Sequence, residues 1–383
     1  MSSASLRCVH LLPSFGIGGQ ERVALDLATC QLGAGCIVTA VALADGGEGP
    51  MAREFRAAGV AVATVAKGRG VDPTLPLRLA LLLRRQRVEL VHAHNPQPLI
   101  YGALAARLAG ARLVYTRHGA NLDLPRRRLL RRGAARLVDA YVAVSQATAE
   151  RALADREPPR GKLLVIDNGI DLRRFHPDGE ARAAIRAELA IPEGAWVVTT
   201  VGRLVPSKAQ ARLIRALAPL LDGDHRLIVA GDGPEAGALR RLVGELPGGR
   251  FVHLLGERRD VPRLLAAGDV FALPSDTEGL PLVIPEAMAT GLAVVASAVG
   301  GIGGVLDEGR TGWLLPPGDE GRLRERLAAL AADPAAAAAV GAGARDEALA
   351  RYSAERMAAA YLALYRRLLA GLPPTGNEAI RPP

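Results

Sequence analysis

The chain has 383 residues, 49% hydrophobic and 23% charged, ordinary globular composition whose length points to about two domains at roughly 150 residues each. Three cysteines (Cys8, Cys30, Cys36) lack C-x-x-C spacing and lie in apolar surroundings, which speaks against a disulfide framework or zinc site and for small core residues. The net charge of +9 lies entirely in the first 180 residues, yet only three of 48 basic residues are lysines and aromatics make up 3%, so nucleic acid is not the expected partner.

Short β-branched or Leu-rich runs alternate with Ala/Leu/Arg segments of helical period, the pattern of parallel sheets built by right-handed crossovers. Strands are predicted at 6–12, 37–43, 60–65, 90–92, 113–116, 140–144 and 163–166, with a helix at 20–32. The turn formers from Asn168-Gly169-Ile170-Asp171 to His176-Pro177-Asp178-Gly179 mark a hinge. A second alternation follows, with strands at 196–201, 226–230, 251–254, 270–273 and 293–296. The Ala-rich stretch 320–350 predicts one or two helices broken at Asp333-Pro334, and 354–369 a last helix with Met357, Tyr361, Leu364 and Leu368 on one face. The expected organisation is a Rossmann-like domain (1–170), a second Rossmann-like domain (171–352), a C-terminal helix (353–371) and a disordered tail (372–383). No apolar run reaches the roughly 18 residues that span a bilayer and the N-terminus lacks leader features, so a cytoplasmic chain is expected.

Chemistry is expected at the carboxyl ends of the strands. The loop Phe15-Gly16-Ile17-Gly18-Gly19-Gln20-Glu21 runs into a helix, where glycines let backbone N–H groups approach an anion; a tight turn is the alternative. It is not G-x-G-x-x-G, and no acidic residue ends a second strand, so a nicotinamide site is poorly supported. Arg203 and Lys208, five apart after a strand, suit a clamp on a diphosphate. Glu278 and Glu286, eight apart after the strand at 270–273, bracket the Gly279–Leu280 backbone. A carboxylate there binds paired ribose hydroxyls or, alternatively, serves a hydrolase acid/base pair. The cations favour the phosphorylated ligand.

The segments Gly18-Gly19-Gln20-Glu21-Arg22, Thr116-Arg117-His118-Gly119, Val144-Ser145, Asn168-Gly169-Ile170-Asp171, Val201-Gly202-Arg203-Leu204 with Lys208, Ala230-Gly231-Asp232-Gly233-Pro234, Leu255-Gly256 and Glu278-(x7)-Glu286 occur in order over nearly the whole chain. This set resembles the retaining glycosyltransferases of the GT4 type. The resemblance implies an α/β GT-B fold, two doubly wound domains facing a central cleft, the first binding the acceptor and the second the nucleotide-sugar, and sugar transfer from a nucleotide diphosphate-sugar to a hydroxyl of a glycan or lipid-linked acceptor in envelope or extracellular polysaccharide synthesis. It further implies Arg203 and Lys208 on the diphosphate with Gly18 and Gly19 approaching it, Glu286 on the ribose, Glu278, Gly279 and Leu280 on the donor sugar, and His118 beside the transferred sugar. The last helix should cross back to the N-terminal domain. The clamp makes a metal dispensable; no cofactor is expected. The chain departs from the family at Ala209, where Gly is usual, at Gly303-Gly304, where Pro-Glu is common, and at Asp167 in place of Pro. A sugar-nucleotide epimerase of the same architecture and a non-catalytic nucleotide-sugar or lipid-phosphate binding module are the rivals.

Two further features stand apart. His92 and His94 share one side of an extended segment and, with His118, mimic a metal triad, but without acidic or cysteine companions a cleft lining is expected. Arg117, Arg126, Arg127, Arg128, Arg131, Arg132 and Arg136 against Asp123 give +6 within twenty residues. Arg128, Arg132 and Arg136 are expected to share a helical face suited to an anionic membrane surface, with a solvated face as the equal alternative.

Overall fold

The computed structural model describes residues 5–44, 49–119 and 125–374; the predicted tail lies almost wholly outside them. The chain divides into two compact units, Met1–Gly169 with Ala354–Pro383, and Ile170–Ser353.

Unit 1 alternates β1 (Arg7–Leu12), α1 (Gly19–Gly33), β2 (Ile37–Ala42), α2 (Pro50–Ala57), β3 (Ala61–Thr64), α3 (Leu75–Arg85), β4 (Leu90–His94), α4 (Pro96–Ala109), β5 (Arg112–Arg117), α5 (Pro125–Ala135), β6 (Ala140–Ala143), α6 (Gln146–Ala154) and β7 (Leu163–Val165). The seven parallel strands lie in the order β3-β2-β1-β4-β5-β6-β7. The order reverses between β1 and β4, the crevice where doubly wound sheets hold ligands.

Alternation along the strands sorts residues onto two faces. Val9, Leu11, Val91, Ala93, Leu113 and Tyr115 join one core with Leu79 and Leu83 of α3 and Leu99 and Ala103 of α4. At roughly 25 cal/mol per Å² of apolar surface, burial of this kind drives the sheet and helices together. The other face carries His10, His92, His94 and Thr116, all fully buried. The register sets His10 opposite His92, and His94 opposite Thr116. Cys8 is buried and Cys30 and Cys36 are half-buried, all three free thiols, so only the first is the core residue that composition suggests.

Unit 2 begins with α7 (Gly179–Glu188). It continues through β8 (Trp196–Val201), α8 (Gln210–Leu217), β9 (His225–Ala230), α9 (Ala236–Glu245), β10 (Val252–Leu254), α10 (Val261–Ala266), β11 (Val270–Leu273), α11 (Val283–Ala289), β12 (Ala293–Ser297), β13 (Gly312–Leu315), α12 (Glu320–Ala332) and α13 (Pro334–Arg351). Its six parallel strands run β10-β9-β8-β11-β12-β13, reversing between β8 and β11. Trp196, Val198, Val270 and Val295 pack with Leu213 and Leu217 of α8 and Leu327 of α12; Val197 and Ile228 pack with Ile185 of α7. Asp333 ends α12 and caps α13, its carboxylate accepting from the Ala336 N–H at 3.0 Å, with Pro334 in the first turn of α13. α14 (Ala354–Leu369) belongs to unit 1, where it packs against α1.

Candidate active site

In unit 2 the loops after β8 and β11 meet at the reversal point. β8 ends at Val201, and a single 3-10 turn, Pro206–Lys208, leads into α8. The Lys208 Nζ reaches Glu278 Oε1 at 2.5 Å, and Ser275 donates to the same oxygen at 2.7 Å. Both side chains are largely buried, 17% exposed for Lys208 and 8% for Glu278, so each charge requires the other. Asp276 N–H donates to the Ser207 carbonyl at 2.8 Å, tying the two loops at a second point. Arg203 is exposed, and its guanidinium has no ion-pair partner among the described residues.

Backbone crowding fixes the rest of this edge. Gly300 sits at φ +55° against the loop, where a Cβ would collide with the Glu278 carbonyl oxygen, and Gly301 N–H donates to Gly279 O at 2.5 Å. A side chain at Gly231 or Gly233 would strike the Gly202 or Leu204 carbonyl, which keeps the β8 loop close to the β9 loop. The Gly279 and Leu280 N–H groups donate to nothing among the described residues, an unusual state for backbone beside a buried carboxylate. Glu286, in the first turn of α11, is 9% exposed.

Two departures from the family pattern acquire a physical meaning. Ala209 adopts φ 52°, ψ 37° at the start of α8, a left-handed conformation that costs a residue with a Cβ about 1–2 kcal/mol and that Gly takes freely. At Gly303 and Gly304 a Cβ would meet open space, so nothing there demands glycine. Asp222, of the lone Asp-x-Asp, accepts from the Asp224 and His225 N–H groups in the turn entering β9, at the opposite end of the sheet from these loops.

In unit 1, Gly18 is the N-cap of α1 in extended conformation and Gly19 opens the helix. The positive helix end faces Glu21, which is 4% exposed and whose carboxylate lies where a Gly18 side chain would be. An anion arriving at Gly18 and Gly19 therefore competes with Glu21. Gln20 bridges this loop to β4: its Nε2 donates to Glu21 Oε1 at 2.6 Å and its Oε1 accepts from Asn95 Nδ2. Asn95 holds φ 67°, a strained value for a residue with a Cβ, and its Oδ1 accepts from the His118 N–H at 3.1 Å.

His118, half-buried after β5, is linked to three interior histidines. His118 Nε2 lies 2.9 Å from His94 Nδ1, His94 Nε2 lies 2.9 Å from His10 Nδ1, and His10 Nε2 lies 2.8 Å from Gln31 Oε1. His92 stands beside this row, bonded to Thr116 Oγ1 at 2.7 Å and to the Tyr365 hydroxyl at 2.6 Å. Desolvation is the main reason all four imidazoles stay neutral: His10 is pushed down to about 4 and His118 to about 3, with His92 and His94 far below their ordinary value. Nitrogens of His10, His92 and His94 lie within 4.8 Å of one another. Every one of those six nitrogens already has a hydrogen-bond partner, and both of His92 are spent on Thr116 and Tyr365, so the geometry fits a hydrogen-bonded array better than a metal cage. Sequence reasoning singled out His92, His94 and His118 but missed His10, Asn95, Gln31 and Tyr365; the alternating buried β1 strand was the only available signal for His10.

The arginine-rich segment departs from expectation. Arg131 is buried with its Nε 2.7 Å from Glu157 Oε1, and Arg117, also buried, pairs with Asp155 at 2.9 Å and Glu157 at 3.4 Å. Arg132 donates to the Asp155 carbonyl at 2.9 Å and Arg128 approaches its carboxylate at 3.6 Å. Arg128, Arg132 and Arg136 thus do not form one exposed face: two of them are drawn to Asp155 at the end of α6, Arg128 to its carboxylate and Arg132 to its backbone carbonyl. The exposed side chains are Arg127, Leu129 at 69%, Leu130 at 50% and Arg136. Leu130 therefore faces solvent, whereas Ala134 of the same helix is buried. The Arg126 side chain and Asp123 lie outside the described residues. No single described helix is long and apolar enough to cross a membrane.

Comparison with known proteins agrees with this architecture. The model of glycosyltransferase family 4 matches residues 17–174, and that of glycosyl transferases group 1 matches residues 181–347. The GDP-mannose-dependent alpha-(1-6)-phosphatidylinositol monomannoside mannosyltransferase of Mycolicibacterium smegmatis is 34% identical over 295 residues, 73% of this chain and 76% of that one. The D-inositol 3-phosphate glycosyltransferase of Saccharomonospora viridis is 32% identical over 315 residues, 76% and 72% of the two chains. Among solved structures, Anabaena HepE in complex with UDP-glucose superposes with TM-score 0.82 at 25% identity, covering 96% of this chain and 100% of that one. The doubly wound sheets, the ordered motifs and these likenesses together place the chain in the GT4-type glycosyltransferases of the GT-B fold.

Proposed function

We propose that this glycosyltransferase moves a hexose from a nucleotide diphosphate-sugar to a hydroxyl of a lipid-linked or glycan acceptor, with retention of anomeric configuration and without a metal. The observation that carries the reading is the Lys208–Glu278 pair at the β8/β11 reversal point, set beside the unpartnered Gly279 and Leu280 N–H groups. The exposed Arg203 and the Lys208 ammonium supply fixed positive charge for a diphosphate, the role a divalent ion plays elsewhere. Glu286 takes the ribose hydroxyls. Glu278, held by Lys208 and Ser275, serves as a fixed acceptor for donor-sugar hydroxyls, with the two N–H groups beside it. A carboxylate so committed is a poor nucleophile. This favours a route in which the departing phosphate oxygen takes the proton of the attacking hydroxyl as the sugar–phosphate bond breaks and the new glycosidic bond forms on the same face. In unit 1, His118 is the group that meets a substrate hydroxyl, and the Gly18 and Gly19 N–H groups become open to an anion when Glu21 yields.

The relatives support the donor and acceptor classes: one is named for GDP-mannose and a phosphatidylinositol mannoside, and HepE holds UDP-glucose. The reading therefore extends to envelope or polysaccharide assembly on the cytoplasmic side of the membrane. Peripheral attachment to anionic lipid is assigned to α5, whose exposed Arg127, Leu129, Leu130 and Arg136 offer cations and apolar anchors together. The test is turnover of UDP-, GDP- and ADP-sugars in excess EDTA, with the product anomer read by proton NMR. An axial-linked product from an axial donor, formed in chelator, is expected. Inverted product, or activity that returns only with Mg²⁺ or Mn²⁺, contradicts the proposal.

A further inference from the structure

The hydrogen-bonded row behind His118 has a direction. Gln31 sits on α1 facing α14, with its amide Nε2 3.4 Å from the Tyr365 hydroxyl and its Oε1 receiving the Cys8 thiol at 3.5 Å and the His10 ring at 2.8 Å. A carbonyl oxygen only accepts, so His10 carries its proton on Nε2 and its Nδ1 is a bare acceptor. His94 must then donate from Nε2 to that Nδ1, leaving its own Nδ1 bare, and His118 must donate from Nε2 to His94. The Tyr365 hydroxyl, having accepted from Gln31, donates to His92 Nδ1, which leaves the His92 Nε2–H for Thr116 Oγ1. One amide orientation thus satisfies both branches with every imidazole neutral, the state that full burial of His10, His92 and His94 demands.

We propose that His94 and His10, anchored by Gln31, are positioning residues that fix His118 as its Nε2–H tautomer, so that Nδ1 offers a lone pair to a substrate hydroxyl. His118 Nδ1 has no partner among the described residues, while its backbone N–H is held by Asn95, so ring and main chain are oriented from opposite sides. A neutral imidazole with a defined bare nitrogen accepts a hydrogen bond from a hydroxyl; the other tautomer would present an N–H there and repel the hydroxyl proton. The catalytic part of the inference rests on the reading that His118 touches substrate, whereas the tautomer does not.

The experiment is long-range ¹H–¹⁵N correlation on ¹⁵N-histidine-labelled protein, with His118 assigned by its disappearance in His118→Ala. The wild type is expected to show His118 protonated on Nε2 and bare on Nδ1 throughout about pH 6–8; an Nδ1–H form or an exchanging mixture overturns the proposal. His94→Phe removes the acceptor and should mix the tautomers, whereas His94→Asn, which returns an amide oxygen near the Nδ1 position, should keep Nε2–H. Gln31→Met, two histidines away, should also mix them; an unchanged His118 spectrum in His94→Phe or Gln31→Met overturns the relay. With UDP-glucose and GDP-mannose as donors and nucleoside diphosphate release as readout, His94→Phe should lower kcat by about 10- to 100-fold while donor KM stays within about twofold, part of the roughly 10²–10⁴-fold worth of a positioned acid/base group. His94→Asn should recover most of that loss; equal kcat in the two variants overturns the positioning role. If His118→Ala turns over normally, the assignment of His118 to the substrate fails, and the spectrum still decides the relay.

Discussion

Lowering the pH from about 7.5 to about 5.5 should destabilise unit 1 through its interior histidines. An unfolded imidazole titrates near 6.5 and is more than nine-tenths protonated at the lower pH, whereas His10, pushed down to about 4, and His92 and His94, lower still for the same reason of burial, remain neutral in the folded state. The unfolded state therefore binds more protons, and stability falls as pH falls below 6.5. Integrated over that interval, each histidine contributes about 1.4 kcal/mol, and the three together about 4 kcal/mol, a large part of a typical 5–15 kcal/mol. The depressed carboxylates Asp72 and Asp155 act only near and below their unfolded values around 4. Amide exchange in β1 and β4 reads unit 1, while the two tryptophans, Trp196 and Trp313, read unit 2, which has no such histidine cluster among its described residues. The expected result is a steep loss of β1 and β4 protection with little change in the tryptophan transition. Protection that falls by less than about 1 kcal/mol would refute the neutral array, because a single buried histidine would already exceed it.

Further expectations follow from particular contacts. Glu157→Ala removes the buried carboxylate that Arg117 and Arg131 share and should cost about 3–5 kcal/mol in a denaturation midpoint analysis, as removal of one partner of a buried ion pair does. Glu286→Gln should raise donor KM more than it lowers kcat, since the carboxylate is assigned to ribose; an effect on kcat alone would remove that role. Sedimentation with anionic vesicles should fall as salt rises and be lost when Leu129 and Leu130 become Ser together with Arg127 and Arg136, each Arg contributing about 1 kcal/mol. Binding that ignores those four changes would move the membrane contact off α5.

Much of the fold is legible in the primary structure because parallel strands buried on both faces read as short apolar runs between helical periods. β8 and β11 fall on the predicted residues, and α14 spans 354–369 as its Met357, Tyr361, Leu364 and Leu368 stripe requires. β4 runs two residues further, to His94, because polar histidines interrupt the apolar signal while hydrogen bonding keeps them inside. β13 escapes notice: Gly312–Leu315 is a short edge strand whose pairing with β12 gives it its form. Local motifs expose Lys208 and Glu278, and the reversal of strand order joins them. The histidine row is different in kind, since His10 and His94 come from two strands and His118 from the residue after a third, and they acquire meaning only through register and through Gln31. Counting charges misjudged the arginine segment for the same reason: Asp155 and Glu157 lie far along the chain and close in space.

The central claim, that Arg203 and Lys208 hold a diphosphate in place of a metal, is tested most directly by titrating UDP and GDP into the protein in EDTA by calorimetry. Wild type and His118→Ala should bind with comparable affinity, and Arg203→Ala, an exposed substitution that leaves the fold alone, should weaken binding by at least about thirtyfold, the lower end of the roughly 2–5 kcal/mol expected for a stranded charged partner. Lys208→Ala should do the same, with Glu278→Gln in the double variant relieving only the strain of the unpaired carboxylate and not the lost affinity. Nucleotide binding that survives in both single variants, or that appears only when a divalent cation is added, would contradict the account.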